Sequence, residues 1–278
     1  MSVRKGRGGA GRRISDLLAG TVPADLIPLV PDRFEVIGDI AVISIPPELL
    51  PYRAEIADSL MKTRRSIRTV LRRISHRDGL HRVALYEPVT GSGTTTRYRE
   101  FGFVYRVDLA QAFCSTRLAG ERRRIAIQIR PGERVFIPYA GYGPFVIPAA
   151  AQGAEVVALE INPTACRLLA ENLRTNHLEQ SVLVIRGDAW KCRIRPGTTD
   201  RAIIPSPYGS DRIPGPAAEA VRPGGWIHLY TLQPAREAEQ VREELLNAGY
   251  RVARYHRCGN VAPGISRWVY DLQKPPEI

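Results

Sequence analysis

The sequence predicts an α/β protein: an open, mostly parallel seven-stranded sheet preceded by a small α+β module. Three observations predict it. From about Ala119 onward, strand-like and helix-like runs alternate strictly, the pattern of a parallel sheet with helices on both faces. The first of these strands ends in Ala140-Gly141-Tyr142-Gly143, and the next two end in or just before the carboxylates Glu160 and Asp188.

Taken in order, residues 1–30 open on a basic, glycine-rich stretch and read as a flexible tail. Residues 34–45 alternate and are β-branched, which predicts a hairpin turning at Gly38-Asp39. Apolar residues Ile56, Leu60, Ile67, Val70, Leu71 and Ile74 recur at helical spacing and predict one long helix over residues 48–74. Its polar face would carry Lys62, Arg64, Arg65, Arg68, Arg72 and Arg73, a surface suited to phosphates. Strands are predicted over 82–86 and 95–107, completing a substrate-binding module over residues 31–110. Residues 111–278 form the second domain. Its strands are expected at 134–138, 155–160, 182–186, 201–204, 225–230, 251–256 and 266–272. Its helices are expected at 121–128, 144–151, 163–176, 211–221 and 235–248.

Composition narrows the function classes. The 278 residues carry 40 Lys plus Arg against 28 Asp plus Glu, a formal charge of +12. Arginine's planar donors suit phosphate, so nucleic acid is the expected partner. No apolar run approaches the ~20 residues that span a bilayer, and no signal-peptide core follows the basic start. A cytoplasmic protein is the expectation. Cys114, Cys166, Cys192 and Cys258 are scattered, with no paired ligand spacing; neither a metal site nor a disulfide framework is expected.

The second domain supplies a nucleotide-type site. Two glycines let the backbone at Tyr139-Ala140-Gly141-Tyr142-Gly143-Pro144-Phe145 pass close to a ligand. About twenty residues on, Glu160, followed by Ile161, could accept from ribose hydroxyls; Asp188, followed by Ala189, could accept from an adenine amino group. The loop is shorter than a dinucleotide fingerprint, and no pyrophosphate cradle is evident. S-adenosylmethionine therefore suits it, with a nicotinamide dinucleotide as the alternative.

Longer stretches carry a resemblance. Residues 97–122 (RYREFGFVYRVDLAQAFCSTRLAGER), with YAGYGPFVIP, ALEINPTA, ENLRTN and GGWIHLY, resemble the archaeal and eukaryotic tRNA guanine-37 N1-methyltransferases. They are also similar to the sister group, the aminocarboxypropyl transferases of wybutosine synthesis. The resemblance covers roughly residues 34–274. The segment at 115–122 and Gly143-Pro144-Phe145 look like a divergent member of the methyltransferase branch. It implies a Rossmann-like class I methyltransferase domain, S-adenosylmethionine as cofactor and tRNA, near the anticodon, as substrate. It further implies Glu121 as the general base that removes the guanine N1 proton. Arg117, on the same face, would contact the base or its developing charge, and a further catalytic arginine of the family would be Arg99, in Tyr98-Arg99-Glu100-Phe101-Gly102.

Three departures bear on that reading. The family's Asn-Leu-Pro is Pro205-Ser206-Pro207 here, and the acid usual at the end of the first strand is Ile137. The chain also has no room for the extra N-terminal domain of many archaeal members. Ser206 or Tyr208 could replace the lost contact to the base, with Pro205 beside the cofactor. A protein acceptor such as a thiolate, and a non-catalytic assembly role with a degenerate pocket, stay open alongside RNA. A monomer is the expected state.

Overall fold

A computed structural model describes residues 13–75, 84–206 and 213–276, which divide between Thr116 and Arg117 into two compact units. The first unit contains a four-stranded sheet in the order β1-β2-β3-β4: β1 (Phe34–Ile37), β2 (Ile40–Ile43), β3 (Thr69–Arg73) and β4 (Tyr86–Thr90). β1 and β2 form the expected hairpin. Gly38 takes φ 59°, and a Cβ there would overlap the Thr96 hydroxyl, so only glycine fits the turn. β2 and β3 run parallel, and the crossover between them contains α2 (Arg53–Thr63). Helix α2 buries Ile56, Ala57 and Leu60 in one core with Ala41, Ile43 and Val70.

Three expectations for this unit are corrected. Residues 1–12 lie outside the described residues, but residues 14–30 are not a tail. Their short helix α1 (Ile14–Leu17) and the turns after it bury Ile14, Leu18, Val22 and Val30 in the same core. Those apolar side chains repay the entropy of ordering the segment.

The long helix over 48–74 also breaks up, into a 3-10 turn at Pro47–Tyr52, α2, and strand β3. Arg64 leaves the helix with extended backbone (φ −140°, ψ 93°), and the Thr63 hydroxyl donates to Leu60 O, closing its last turn. The apolar residues after it, Val70 and Leu71, satisfy a buried strand as well as a helix, and β-pairing to β2 decides between them. Residues 95–107, expected as one strand, form a ribbon of β5 (Thr95–Glu100) and β6 (Phe103–Asp108). The ribbon turns through Phe101 and Gly102, both at positive φ. Of the strand expected at 82–86, residues 82 and 83 lie outside the described residues, and the observed β4 begins at Tyr86.

The second unit is built on a seven-stranded sheet, order β12-β13-β11-β10-β7-β8-β9. Its strands are β7 (Arg134–Pro138), β8 (Glu155–Glu160), β9 (Val182–Arg186), β10 (Thr199–Pro205), β11 (Val221–Pro234), β12 (Arg251–Ala262) and β13 (Ile265–Gln273). The strands from β7 to β11 pair in parallel; β13 lies antiparallel to both β11 and β12. This is the Rossmann-like sheet the alternation predicts. Helices α3 (Ala119–Ala126), α4 (Val146–Ala150), α5 (Pro163–Thr175), α6 (Gly215–Ala220) and α7 (Ala238–Asn247) fill the connections. Helix α5 starts where it does because the Asn162 carboxamide accepts from Thr164 N and Ala165 N, with Pro163 at the first position. Its stripe of Ala165, Leu168, Leu169 and Leu173 is buried.

Because β8 lies on one side of β7 and β10 on the other, the chain reverses direction at β7. A crevice opens beyond the carboxyl ends of strands at such a point. No helix among the described residues is long and apolar enough to cross a membrane.

Candidate active site

At the carboxyl end of β7 the chain makes a tight turn, with Tyr139 at φ 58°, Gly141 at φ 57° and Gly143 at φ 101°. The two glycines serve different ends. A Cβ on Gly143 would lie 2.6 Å from Leu169 Cδ1, so this glycine lets α5 pack against the turn. A Cβ on Gly141 would meet nothing nearer than Pro144 Cδ at 3.9 Å, so open space lies beside its backbone. The fully buried Asn172 carboxamide donates to Tyr142 O at 3.0 Å and fixes the turn from below.

Glu160, at the end of β8, clamps the same turn. Its Oε2 accepts from Gly141 N and its Oε1 from Asn162 N, both at 2.8 Å. Each oxygen keeps a lone pair for a ligand hydroxyl. Asp188, beyond β9, accepts from Trp190 N at 2.9 Å through Oδ1, and Ala189 is buried beside it. Tyr139 and Ile161 are half-buried, and Phe145 is buried. Two carboxylates around a bare glycine turn suit a ligand that offers hydroxyl and amine donors. At the end of β10, Pro205 is half-buried and Ser206 is buried; the Ser206 hydroxyl has no hydrogen-bond partner among the described residues. Tyr208 lies outside the described residues.

Glu121, on α3, sits in a cage of donors. Arg124 places both Nε and Nη2 2.9 Å from Oε2, and the Tyr230 hydroxyl donates to the same oxygen at 3.2 Å. His256 Nε2 donates to Oε1 at 3.1 Å. The Tyr230 ring lies 5.3 Å from that of Phe145, which ties Glu121 to the glycine turn. Burial pushes the Glu121 carboxyl up, but the hydrogen bonds and charges of Arg124 and His256 outweigh it, so the group lies below its ordinary value. Burial raises the Tyr230 hydroxyl well above its usual range, and the Glu121 charge adds to this, so it stays a donor.

Arg124 in turn holds Asp271 on β13 bidentately, at 2.6 and 3.1 Å. Asp271 Oδ1 accepts from His228 Nδ1 at 2.7 Å, and Arg201 Nη1 donates to His228 Nε2 at 2.6 Å. Arg201 also pairs with Glu133 at 2.9 Å. The fully buried His228 must be neutral to accept from Arg201; burial lowers its pKa beyond what Asp271 restores. Burial of Asp271 is outweighed by His228 and Arg124, which hold its carboxyl well below the ordinary range.

Other expected site residues stand apart. Arg117 does not share a helical face with Glu121 as expected, a correction with a simple cause. Helix α3 starts at Ala119, so Arg117 precedes it, is exposed, and donates from Nη1 to Asn260 O at 3.2 Å. In the first unit Arg99 is exposed on β5. Arg65 and Arg68 are exposed in the turn before β3, and the Arg64 guanidinium lies 5.6 Å from the Phe34 ring centroid. None of the three lies in a regular helix. None of the four cysteines forms a disulfide; burial pushes Cys166 up to about 11 and Cys258 up to about 12.

Sequence reasoning missed Arg124, His256, Tyr230 and the chain through Asp271, His228 and Arg201. The signal was present: Arg201, His228 and Asp271 each interrupt an apolar strand, and a buried polar or charged group in a strand requires a partner.

Comparison with known proteins fits this architecture. Residues 96–256 match the TRM5/TYW2 methyltransferase domain and residues 14–94 the TYW2 N-terminal domain. The chain belongs to the TRM5/TYW2 methyltransferase family. It is 32% identical over 237 residues to the tRNA (guanine(37)-N(1))-methyltransferase Trm5b of Pyrococcus abyssi, covering 83% of this chain and 71% of that protein. It is 30% identical over 271 residues to the tRNA(Phe) (4-demethylwyosine(37)-C(7)) aminocarboxypropyltransferase of Pyrococcus horikoshii, covering 94% and 96%. Among solved structures, aTrm5 in complex with tRNALeu superposes with a TM-score of 0.84 at 26% identity, covering 95% of this chain and 78% of that one. The P. horikoshii TYW2 complex with MeSAdo gives 0.78 at 27%, covering 94% and 97%.

Proposed function

We propose that this protein is an S-adenosylmethionine-dependent methyltransferase that modifies position 37 of tRNA, with Glu121 as the general base. The observation that carries the reading is the caged, ionised Glu121 carboxylate, linked through Tyr230 to the glycine turn. Family membership supports the substrate class: the relatives named above act on position 37 of tRNA. The cofactor reading rests on the solved relative bound to MeSAdo and on the donor-seeking carboxylates of the crevice.

In this reading Glu160 binds the ribose and Asp188 the adenine, while Tyr139, Ala140, Gly141, Gly143, Phe145, Ile161, Ala189 and Pro205 line the cofactor. S-adenosylmethionine, when bound, supplies an electrophilic methyl group. N1 of guanine carries a proton at neutral pH, so its lone pair is released only when a positioned base takes that proton. Glu121 is held as a carboxylate for this step. Its lowered pKa makes it a weaker base, and the gain is that it is ionised at every physiological pH. Arg117 and Arg99 contact the base, Ser206 and Tyr208 replace the family asparagine, and Arg64, Arg65 and Arg68 bind phosphates. The protein acts as a cytoplasmic monomer. A protein thiolate is the less favoured acceptor.

A second reading, transfer of an aminocarboxypropyl group, is favoured by one observation: the P. horikoshii transferase aligns over 96% of its own length. Incubation of tRNA with S-adenosylmethionine labelled in either the methyl or the carboxyl group, followed by nucleoside mass spectrometry, separates the two. Methyl label on guanosine 37 is the expected result. Carboxyl label would establish the second reading, and label in protein alone would remove tRNA from the account.

A further inference from the structure

The two oxygens of Glu121 are not equivalent. Three donors converge on Oε2: Arg124 Nε, Arg124 Nη2 and the Tyr230 hydroxyl. Such an oxygen has about two lone-pair directions, so Oε2 is saturated. Oε1 has a single donor among the described residues, His256 Nε2, and keeps one lone pair. His256 itself fixes which of its nitrogens carries the proton. Its Nδ1 is buried with no partner among the described residues. A buried N–H without an acceptor is rarer and costlier than a buried lone pair without a donor, so the proton belongs on Nε2. That is the tautomer that can donate to a carboxylate.

We propose that His256 is a positioning residue for proton removal: its Nε2–H holds the Glu121 carboxylate so that the remaining lone pair of Oε1 is the proton acceptor. This rests on the reading of Glu121 as the base. His256 comes from β12, opposite Val269 on β13, whereas Asp271 on β13 anchors Arg124 of α3. The two oxygens are thus set by different elements, Oε1 by β12 and Oε2 by α3 and β11. Rotation of the carboxylate about its last bond would exchange the saturated oxygen for the free one. The His256 donor and the arginine fork together prevent it.

The charged and titratable groups around this carboxylate are Arg124 on its own helix, Tyr230 from β11, His256 and Cys258 from β12, and Asp271 and Arg267 behind them on β13. Loss of the His256 donor removes one of the groups that lower the Glu121 pKa. The acid limb of the rate profile, which reports ionisation of the base, then moves to higher pH.

The test combines nitrogen NMR of histidine-labelled protein with single-turnover methyl transfer to tRNA by His256→Ala, His256→Gln and Glu121→Gln. The NMR is expected to show the His256 ring protonated on Nε2, with that resonance shifted in Glu121→Gln. His256→Ala should slow transfer about ten- to a hundredfold with tRNA and cofactor affinity unchanged and move the acid limb to higher pH. His256→Gln, whose amide can donate from the same position, should restore both, which a purely structural role would not require. A ring protonated on Nδ1, or wild-type rate and acid limb in both His256 variants, would overturn the proposal. If Glu121→Gln is slow while His256→Ala is not, the positioning role alone fails. If Glu121→Gln transfers at full rate, the base reading fails and takes the positioning role with it. Should His256→Ala not fold, the NMR decides: a ring protonated on Nε2 whose resonance shifts in Glu121→Gln supports the role, and a ring protonated on Nδ1 overturns it.

Discussion

Glu160 and Glu121 are two carboxylates of one unit held in opposite ways. Glu160 is held by backbone amides, Gly141 N and Asn162 N, which lie close to it in the turn it clamps and in its own strand end. Glu121 is held by side chains from α3, β11 and β12, up to 135 residues apart in the chain. Backbone donors are supplied by the fold whatever the local sequence, so a strand-ending acid beside a glycine turn has a fixed environment. Side-chain donors must each be placed by packing. The geometry of the first region follows from its topology; that of the second depends on a particular set of residues.

The largest expected effect lies behind Glu121, at Asp271. Asp271→Ala leaves Arg124 and His228 buried without their shared anion, and breaking a buried pair in this way costs about 3–5 kcal/mol. Urea unfolding should show the loss. The same carboxyl gives a pH test. Its folded pKa lies below the ordinary value of about 3.9, so its contribution is fully present above that value and is lost as pH falls through the folded pKa. The stability gap between wild type and Asp271→Asn should therefore narrow on acidification. A gap independent of pH would mean that Asp271 does not anchor the chain as ionised aspartate.

At the other region, Glu160→Ala should fold and lose roughly 1.5–3 kcal/mol of S-adenosylhomocysteine binding by calorimetry, the usual worth of a charged hydrogen-bond partner. Unchanged affinity would detach Glu160 from the cofactor. Gly143→Ala should cost about 1–3 kcal/mol of stability, because its Cβ meets Leu169 and its φ is 101°. Gly141→Ala has open space and should bear only the φ penalty. The smallest effects belong to the first unit. Arg64, Arg65 and Arg68 changed together should make the salt dependence of tRNA binding shallower by roughly 0.7–0.9 in log–log slope per lost phosphate contact.

The same contrast explains what was legible in the sequence. The glycine turn, Glu160 and strands β7, β8 and β9 were readable because they depend on local pattern: alternation, a turn residue, an acid at a strand end. The basic helix expected over 48–74 failed because Val70 and Leu71 fit two periodicities, and only the neighbouring β2 chooses between them. The cage around Glu121 was unreadable because no window of sequence holds Arg124, Tyr230, His256 and Asp271 together. Family resemblance pointed to Glu121 itself but not to these partners. It also placed Arg117 on the same helical face as Glu121, which the late start of α3 prevents.

In the proposed reaction Glu121 is the base for a proton on the acceptor nitrogen. Single-turnover methyl transfer by Glu121→Gln, on tRNA bound at saturation, tests it most directly. The account predicts unchanged cofactor and tRNA binding with transfer slowed roughly 10²–10⁴-fold, the share of a positioned general base. Transfer at the wild-type rate with the same tRNA would contradict it.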